Sequence, residues 1–274
     1  MPSAAFYARD RAGRLQLPNN QDTKTPQNDR GSPIAQDRPN SSPTRARSNA
    51  ILNTLSDSHL EQLLPKLKLV ELDSGKTLYE PEQKIEYTYF PTSGIISLLA
   101  MFEDGASVEA GVIGNEGLLG TPVVLGAEAT PHQALVQAGG QALRMAAHDL
   151  KAEVQKDGVL MKAMLRYTNV MFTQVAQTAA CNRVHSVEQR LARWLLLTHD
   201  RVSGDELGLT QEFISRMLGV RRAGVSVAAN NLRQSGLIEY RRGNVIVVDR
   251  KGLEGQSCEC YETVKREYDR YLQG

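Results

Sequence analysis

Residues 209–248 read LTQEFISRMLGVRRAGVSVAANNLRQSGLIEYRRGNVIVV, and the spacing within this stretch decides the fold. Thr210 stands where a hydroxyl can accept a free backbone N–H of a first helical turn. Ile214 and Leu218 lie four apart on one face, with Phe213 and Met217 beside them, so the spacing predicts a short amphipathic helix. Gly219 falls where the chain must reverse, a position that often needs positive φ. Val225, Ala228 and Leu232 then supply the inner face of a second helix, with Val220 leading into it. Its outer face reads Arg222, Ser226, Asn230 and Arg233, residues that suit phosphates and base edges better than a core. Gly236 ends that helix. Leu237 and Ile238 open a strand, and Gly243-Asn244 turns it into a hairpin with a basic tip at Arg241 and Arg242. Two helices joined by a tight turn and followed by a basic hairpin make a winged helix-turn-helix.

Working outward, Tyr89–Gly120 reads YFPTSGIISLLAMFEDGASVEAGVIGNEGLLG. Short strands are expected at 67–72, 77–79, 87–90, 95–102 and 107–113, with turns at Asp73–Lys76, Pro91–Gly94 and Glu103–Gly105. Regular spacing of this kind implies a β-barrel or roll. Residues 50–65 read as helix. Residues 157–183 form the longest helical run and carry two apolar stripes with the same 4-3 steps. One stripe is Met161, Leu165, Thr168, Phe172, Val175 and Ala179; the other is Leu160, Met164, Tyr167, Met171, Gln174 and Thr178. Two adjacent stripes imply a helix covered on two sides, which fits either its own β-roll on one side and a second copy on the other or the core of a monomer; the family resemblance given below favours the pairing helix. The pairing seam is assigned to Met164, Tyr167, Met171, Gln174 and Thr178. Asn182–His185 interrupts the pattern as a hinge, and Ser186–Leu197 and Cys260–Leu272 read as further helices.

These two stretches, in this order, resemble the DNA-binding end and the β-roll sensor domain of the Crp–Fnr family of bacterial transcription regulators. The resemblance covers about residues 50–272. It implies an α+β chain with an N-terminal cyclic-nucleotide-binding-like β-roll over 50–156, a dimerisation helix over 157–183 and a winged helix-turn-helix domain over 184–274. Residues 1–49, rich in Pro, Asn, Ser and Arg and poor in large apolar side chains after Leu17, are expected to be a disordered tail. The implied function is that of a homodimeric, sequence-specific regulator bound to double-stranded DNA, with RNA polymerase as a partner if it activates. Thr210, Gln211, Arg221, Arg222, Ser226, Val227 and Asn230 are the expected contacts from the helices; Arg241, Arg242 and Asn244 are those from the wing. Arg222 matches the family's base-reading Arg. The family often adds a Glu after it and an Arg four residues further on; here those positions are Ala223 and Val227, so the usual family operator is not expected.

The resemblance also implies an effector pocket at Gly114, Glu116, Gly117 and Leu118, with Glu116 matching a ribose-binding Glu. The cyclic-nucleotide binders further place an Arg before a Ser or Thr to hold the phosphate. Thr130–Ala134 holds His132 and Gln133 but no Arg. A buried phosphate without a cationic partner is poorly compensated, so the effector is not expected to be cyclic AMP and its identity stays open.

Charge follows the same partition. Residues 181–251 hold 12 Lys and Arg against 7 Asp and Glu, whereas 50–180 hold 9 against 15. The basic segment coincides with the winged domain, as contact with phosphates requires. Three cysteines, Cys181, Cys258 and Cys260, fall short of the four thiolates of an iron–sulfur sensor. Cys258-x-Cys260, without a nearby His in sequence, is read as two structural thiols, so no metal or cofactor is expected. The sparse, odd cysteine set, the lack of an apolar leader and the lack of a membrane-length run give a cytoplasmic expectation. A regulatory ligand-binding protein that acts on protein partners without DNA is the alternative, and the basic wing and reading helix count against it. Nothing in the sequence supports an enzyme.

Overall fold

The structure, a computed structural model, describes residues 42–156, 158–241 and 243–273. The fold is α+β. Helices α1 (Pro43–Ala46), α2 (Ala50–Asn53) and α3 (Asp57–Leu63) lead into strands β1 (Lys68–Leu72), β2 (Thr77–Tyr79), β3 (Tyr87–Pro91), β4 (Ile95–Met101) and β5 (Ser107–Ile113). Helix α4 (Thr121–Val124) is followed by strands β6 (His132–Ala138) and β7 (Gly140–Ala146). Then come α5 (Ala147–Lys156), the long α6 (Gly158–Val184) and α7 (Val187–His199). The C-terminal part is β8 (Glu206–Leu207), α8 (Gln211–Leu218), α9 (Arg222–Gln234), β9 (Ile238–Arg241), β10 (Asn244–Val247), α10 (Arg250–Gln256) and α11 (Cys260–Gln273).

The first seven strands make two antiparallel sheets, ordered β1-β7-β3 and β2-β6-β4-β5. β4 lies between β5 and β6, which is why Ile95-Ile96-Ser97-Leu98-Leu99 is almost continuously buried instead of alternating. Phe90, Ile96, Leu99, Ile113, Leu143 and Met145 fill the space inside this roll.

The folded part starts earlier than the sequence reading placed it. Helix α1 precedes residue 50, and Ala46 and Asn49 are fully buried. Asn49 caps α2 and also donates its side-chain amide to the carbonyls of Pro91 (2.9 Å) and Gly117 (2.8 Å). Buried polar side chains persist when paired in this way, and this one ties the entry segment to the roll. The rest of the expected tail, residues 1–41, lies outside the described residues.

Helix α6 runs unbroken through Val184, into the stretch Asn182–His185 where a hinge was expected. The chain turns at Ser186, which opens α7 with a capping box to Gln189. Helix α11 packs along α6 and touches α7. Its Tyr261, Val264, Tyr268 and Tyr271 are buried, but Leu272 faces solvent. No described helix is long and apolar enough to cross a membrane.

Candidate nucleic-acid interface

Local chemistry builds the two helices as their sequence implies. The Thr210 side chain accepts from the Phe213 N–H at 3.1 Å and caps α8. Gly219 ends α8 with a left-handed residue at φ 62°. A Cβ there would stand 2.9 Å from the Val108 side chain of β5, so the turn needs glycine for two reasons. Ile214, Met217 and Leu218 of α8 and Val225, Ala228, Ala229 and Leu232 of α9 are buried between the helices and against α7.

Burying that face fixes the other one. Arg221, Arg222, Val227 and Asn230 are exposed, with Ser226 partly so; Val227 is 62 % exposed, high for an apolar side chain. Gln211 and Ser226 form a brace between the helices, the Ser226 hydroxyl donating to Gln211 Oε1 at 2.7 Å. Arg233 donates to Asn230 Oδ1. In the wing, β8, β10 and β9 form one antiparallel sheet, and Gly243 turns between its last two strands. Arg241 is exposed at the tip and pairs with Glu239 on its own strand at 2.8 Å. Asn244 donates to Glu206. Arg242 lies outside the described residues.

Helix α8 also rests on the roll. Arg216 Nε donates to Ser107 Oγ at 2.8 Å, and a groove of about 690 Å³ between them is lined by Phe102, Val108, Glu212 and Arg221 among others. Deeper in the same junction, Trp194 Nε1 of α7 donates to the buried Glu109 of β5 at 2.8 Å, and Gln137 Nε2 of β6 donates to Thr198 of α7 at 3.0 Å. Burial pushes the Glu109 carboxyl up to about 7, against the pull of the Ser97 and Trp194 hydrogen bonds and the Arg193 and Arg201 charges. The roll and the winged domain therefore meet through polar groups that the solvent does not reach.

The stripe of α6 to which the pairing seam was assigned turns inward. Met164, Tyr167, Met171 and Gln174 are buried inside the chain itself. Tyr167 fills the space above Gly117, where a Cβ would come within 2.2 Å of its ring. Gln174 Nε2 donates to the Val112 carbonyl (3.0 Å) and to the Tyr268 hydroxyl (3.1 Å). Thr178 accepts from Arg193 at 2.8 Å. The stripe left facing outward is the other one, with Leu165 48 % and Phe172 72 % exposed.

The expected effector residues are also engaged by the chain. Glu116 is buried, accepts from Arg201 Nε at 2.9 Å and accepts from the Gly114 N–H at 3.0 Å. Burial works against the Arg201 charge, but Glu116 beside it more than restores it, so its pKa lies above the usual guanidinium value. Gly117 and Leu118 pack under α6. His132 bonds Thr130, and Gln133 donates to Glu80 at the end of the neighbouring strand β2. Glu116 thus has a salt-bridge partner within its own chain where the resemblance implied a ribose hydroxyl.

One cluster escaped the sequence reading. Cys181 and His185, one helical turn apart at the end of α6, meet Cys258 and Cys260 from the α10–α11 junction, and their four ligand-type atoms all lie within 4.8 Å of one another. The histidine that Cys258-x-Cys260 lacked in sequence is supplied by the fold.

Residues 189–255 match the family model described as a Crp-like helix-turn-helix domain. The helix pair and wing are thus similar to a Crp-like helix-turn-helix domain, and the fold around them is shared with solved Crp–Fnr regulators. FixK2 from Bradyrhizobium japonicum superposes with a TM-score of 0.61 at 14 % identity, covering 70 % of this chain and 98 % of its own. TTHB099, a CRP-family transcriptional regulator from Thermus thermophilus, superposes with a TM-score of 0.60 at 18 % identity, over 69 % of this chain and 96 % of its own. No curated protein sequence matches the chain. The domain match covers the capped helix pair and the wing described above.

Proposed function

We propose that the chain is a homodimeric DNA-binding transcription regulator in which α9 reads a major groove, the wing grips the flanking backbone and α6 pairs two copies. The observation that carries this reading is the division of α9. Its apolar face is buried against α7 and α8, while Arg222, Val227 and Asn230 stand together toward solvent at its N-terminal half and middle. In helix-turn-helix readers the N-terminal residues of the second helix meet base edges. Arg222 is assigned to a guanine edge, where a bidentate pair contributes about 1–3 kcal/mol of discrimination. Val227 suits a thymine methyl. Arg221, Arg241 and Arg242 are assigned to phosphates, and Thr210, Gln211, Ser226 and Asn244 to positioning at the duplex surface.

Pairing is assigned to Leu165 and Phe172, because an apolar stripe this exposed on a long helix loses least by facing a second copy. Two winged domains related by a two-fold axis would then place their reading helices about 34 Å apart, one turn of duplex. The effector stays open: Glu116 is held by Arg201, which weighs against a ribose contact there.

Binding-site selection with purified dimer tests the reading. Arg222→Ala should lose preference for one base at one position of each half-site. Arg241→Ala should weaken all sequences about equally and reduce the salt slope by about 1 per subunit. The assignment fails if Arg222→Ala leaves the base preference unchanged while Arg241→Ala alters it.

A further inference from the structure

The end of α6 and the start of α11 hold three thiols and an imidazole with no assigned role. Cys181, Cys258 and Cys260 are all buried, in a small cluster separate from the main core. Cys181 Sγ and Cys258 Sγ are 3.5 Å apart, and Cys260 Sγ is 3.5 Å from His185 Nδ1. The four donor atoms come from two short segments on opposite sides of the helix-turn-helix and wing in sequence, with Cys181 and Cys258 separated by 77 positions.

We propose that Cys181, His185, Cys258 and Cys260 bind one zinc ion per chain in a closed, structural Cys3His site. Geometry selects a single ion. In a tetrahedral site with Zn–S distances of about 2.3 Å, neighbouring donors stand roughly 3.5–4 Å apart. The donors here are within 4.8 Å of one another, and two of the pairs, Cys181–Cys258 and Cys260–His185, fall at 3.5 Å. A polynuclear iron–sulfur cluster would push its cysteine sulfurs apart by the width of its own core. Ligand type selects zinc among single ions, since thiolates with one imidazole in a closed tetrahedral set are a zinc pattern.

The surroundings complete the site. His185 turns Nδ1 toward Cys260, and its other ring nitrogen, Nε2, stands 3.3 Å from a Glu259 carboxylate oxygen. A carboxylate behind a ligating histidine fixes the ring and its tautomer. Gln177 Nε2 donates to Cys260 Sγ at 3.1 Å. Zinc at this point would fasten the segment that follows the wing to the end of the long helix, closing the loop of chain that carries the helix-turn-helix. Binding would displace thiol protons and form Zn–S bonds with no change of oxidation state, so no co-reactant is needed.

The test uses the full chain, purified anaerobically without chelator and assayed for metal. We expect one zinc per chain by elemental analysis. After exchange, cobalt(II) should give thiolate charge-transfer absorption with the intense visible bands of a tetrahedral site. Cys258→Ser and Cys260→Ser should abolish tight zinc binding. Glu259→Gln alters an exposed side chain, so it leaves the fold intact, and it should weaken zinc about 10–100-fold in competition with a chelator. The proposal is overturned if the reduced wild-type chain, offered zinc or cobalt(II), holds less than about a tenth of an equivalent and shows no thiolate charge transfer. It is also overturned if the metal found is iron with cluster absorption, or if a Cys181–Cys258 disulfide forms and the re-reduced protein still takes no metal. These readouts do not involve DNA, so failure of the DNA-binding reading leaves them untouched.

Discussion

Replacing Glu109 with glutamine should stabilise the chain more at pH 8 than at pH 5, relative to the unmodified protein. Glu109 lies on β5, is fully enclosed by the junction with α7, and carries a carboxyl pushed up from 4.5 to about 7, chiefly by burial. The sign follows from where the proton sits. Below pH 4.5 the carboxyl is protonated in both folded and unfolded chains and has no effect. Between 4.5 and about 7 the folded chain keeps a proton that the unfolded chain releases, so stability falls as pH rises. Above about 7 both forms are ionised and the loss levels off. A shift of this size at about 1.4 kcal/mol per pH unit amounts to roughly 3 kcal/mol, most of it developing between about pH 5 and 8. Glutamine keeps an oxygen to accept from Trp194 Nε1 and has no charge to desolvate. Urea unfolding followed by far-UV circular dichroism, at fixed protein concentration and at pH 5, 6, 7 and 8, measures the difference between the two proteins. It should widen by about 2–3 kcal/mol across that range. Trp194 is the only tryptophan, so its native fluorescence should titrate near pH 7 in the unmodified protein and stay flat in the variant. Parallel stability curves for the two proteins would refute the reasoning, because they would mean that the carboxyl is solvated or already neutral throughout.

The α6 assignment makes an opposed pair of outcomes: Phe172→Glu, at an exposed position, should leave a folded monomer in sedimentation, whereas Met171→Glu should unfold the chain itself by placing a charge in its core. A folded Phe172→Glu dimer would show that the exposed stripe pairs with nothing. Glu116→Gln should cost about 3–5 kcal/mol in unfolding free energy by leaving the Arg201 charge buried without a partner, and adding Arg201→Gln should restore much of it. If Glu116 instead serves a ligand, the single variant keeps its stability and loses ligand affinity.

What could be read from sequence and what could not differ by the range of the interaction concerned. The α8–α9 pair was legible because Thr210 caps its helix through an N–H three residues on and Gly219 stands where a left-handed residue is needed. The strands at 87–113 were legible from short apolar runs between turn residues. The two stripes of α6 were legible as stripes but not as inside and outside. Met164, Tyr167 and Met171 have nothing in their own chemistry that sets them apart from Leu165 and Phe172. What decides between them is remote: the gap above Gly117 and the Val112 carbonyl and Tyr268 hydroxyl that accept from the Gln174 amide nitrogen. Glu116 and Arg201 are 85 residues apart, as are the Trp194 indole and Glu109, and no local pattern joins such partners. Asn49 illustrates the opposite failure, since a Pro-, Ser- and Arg-rich composition reads as tail until its amide finds two buried carbonyls.

Charge was the subtlest of these signals. The basic count over 181–251 pointed to the winged domain, yet much of it never faces a duplex. Arg190 and Arg193 are buried and donate to Leu218 and Thr178, Arg201 is held by Glu116, and Arg250 is held by Asp200 and Glu254. Arg216 is tied to Ser107 on the roll. Arg193, Arg201 and Arg216 fix the winged domain to α6 and the β-roll, and Arg190 and Arg250 brace it internally. Arg221, Arg222, Arg233 and Arg241 are exposed at α9 and the wing, and the proposed function gives this group to the duplex. One composition therefore serves two purposes. A substitution among the first group should act on the stability and seating of the winged domain, and one among the second on the duplex.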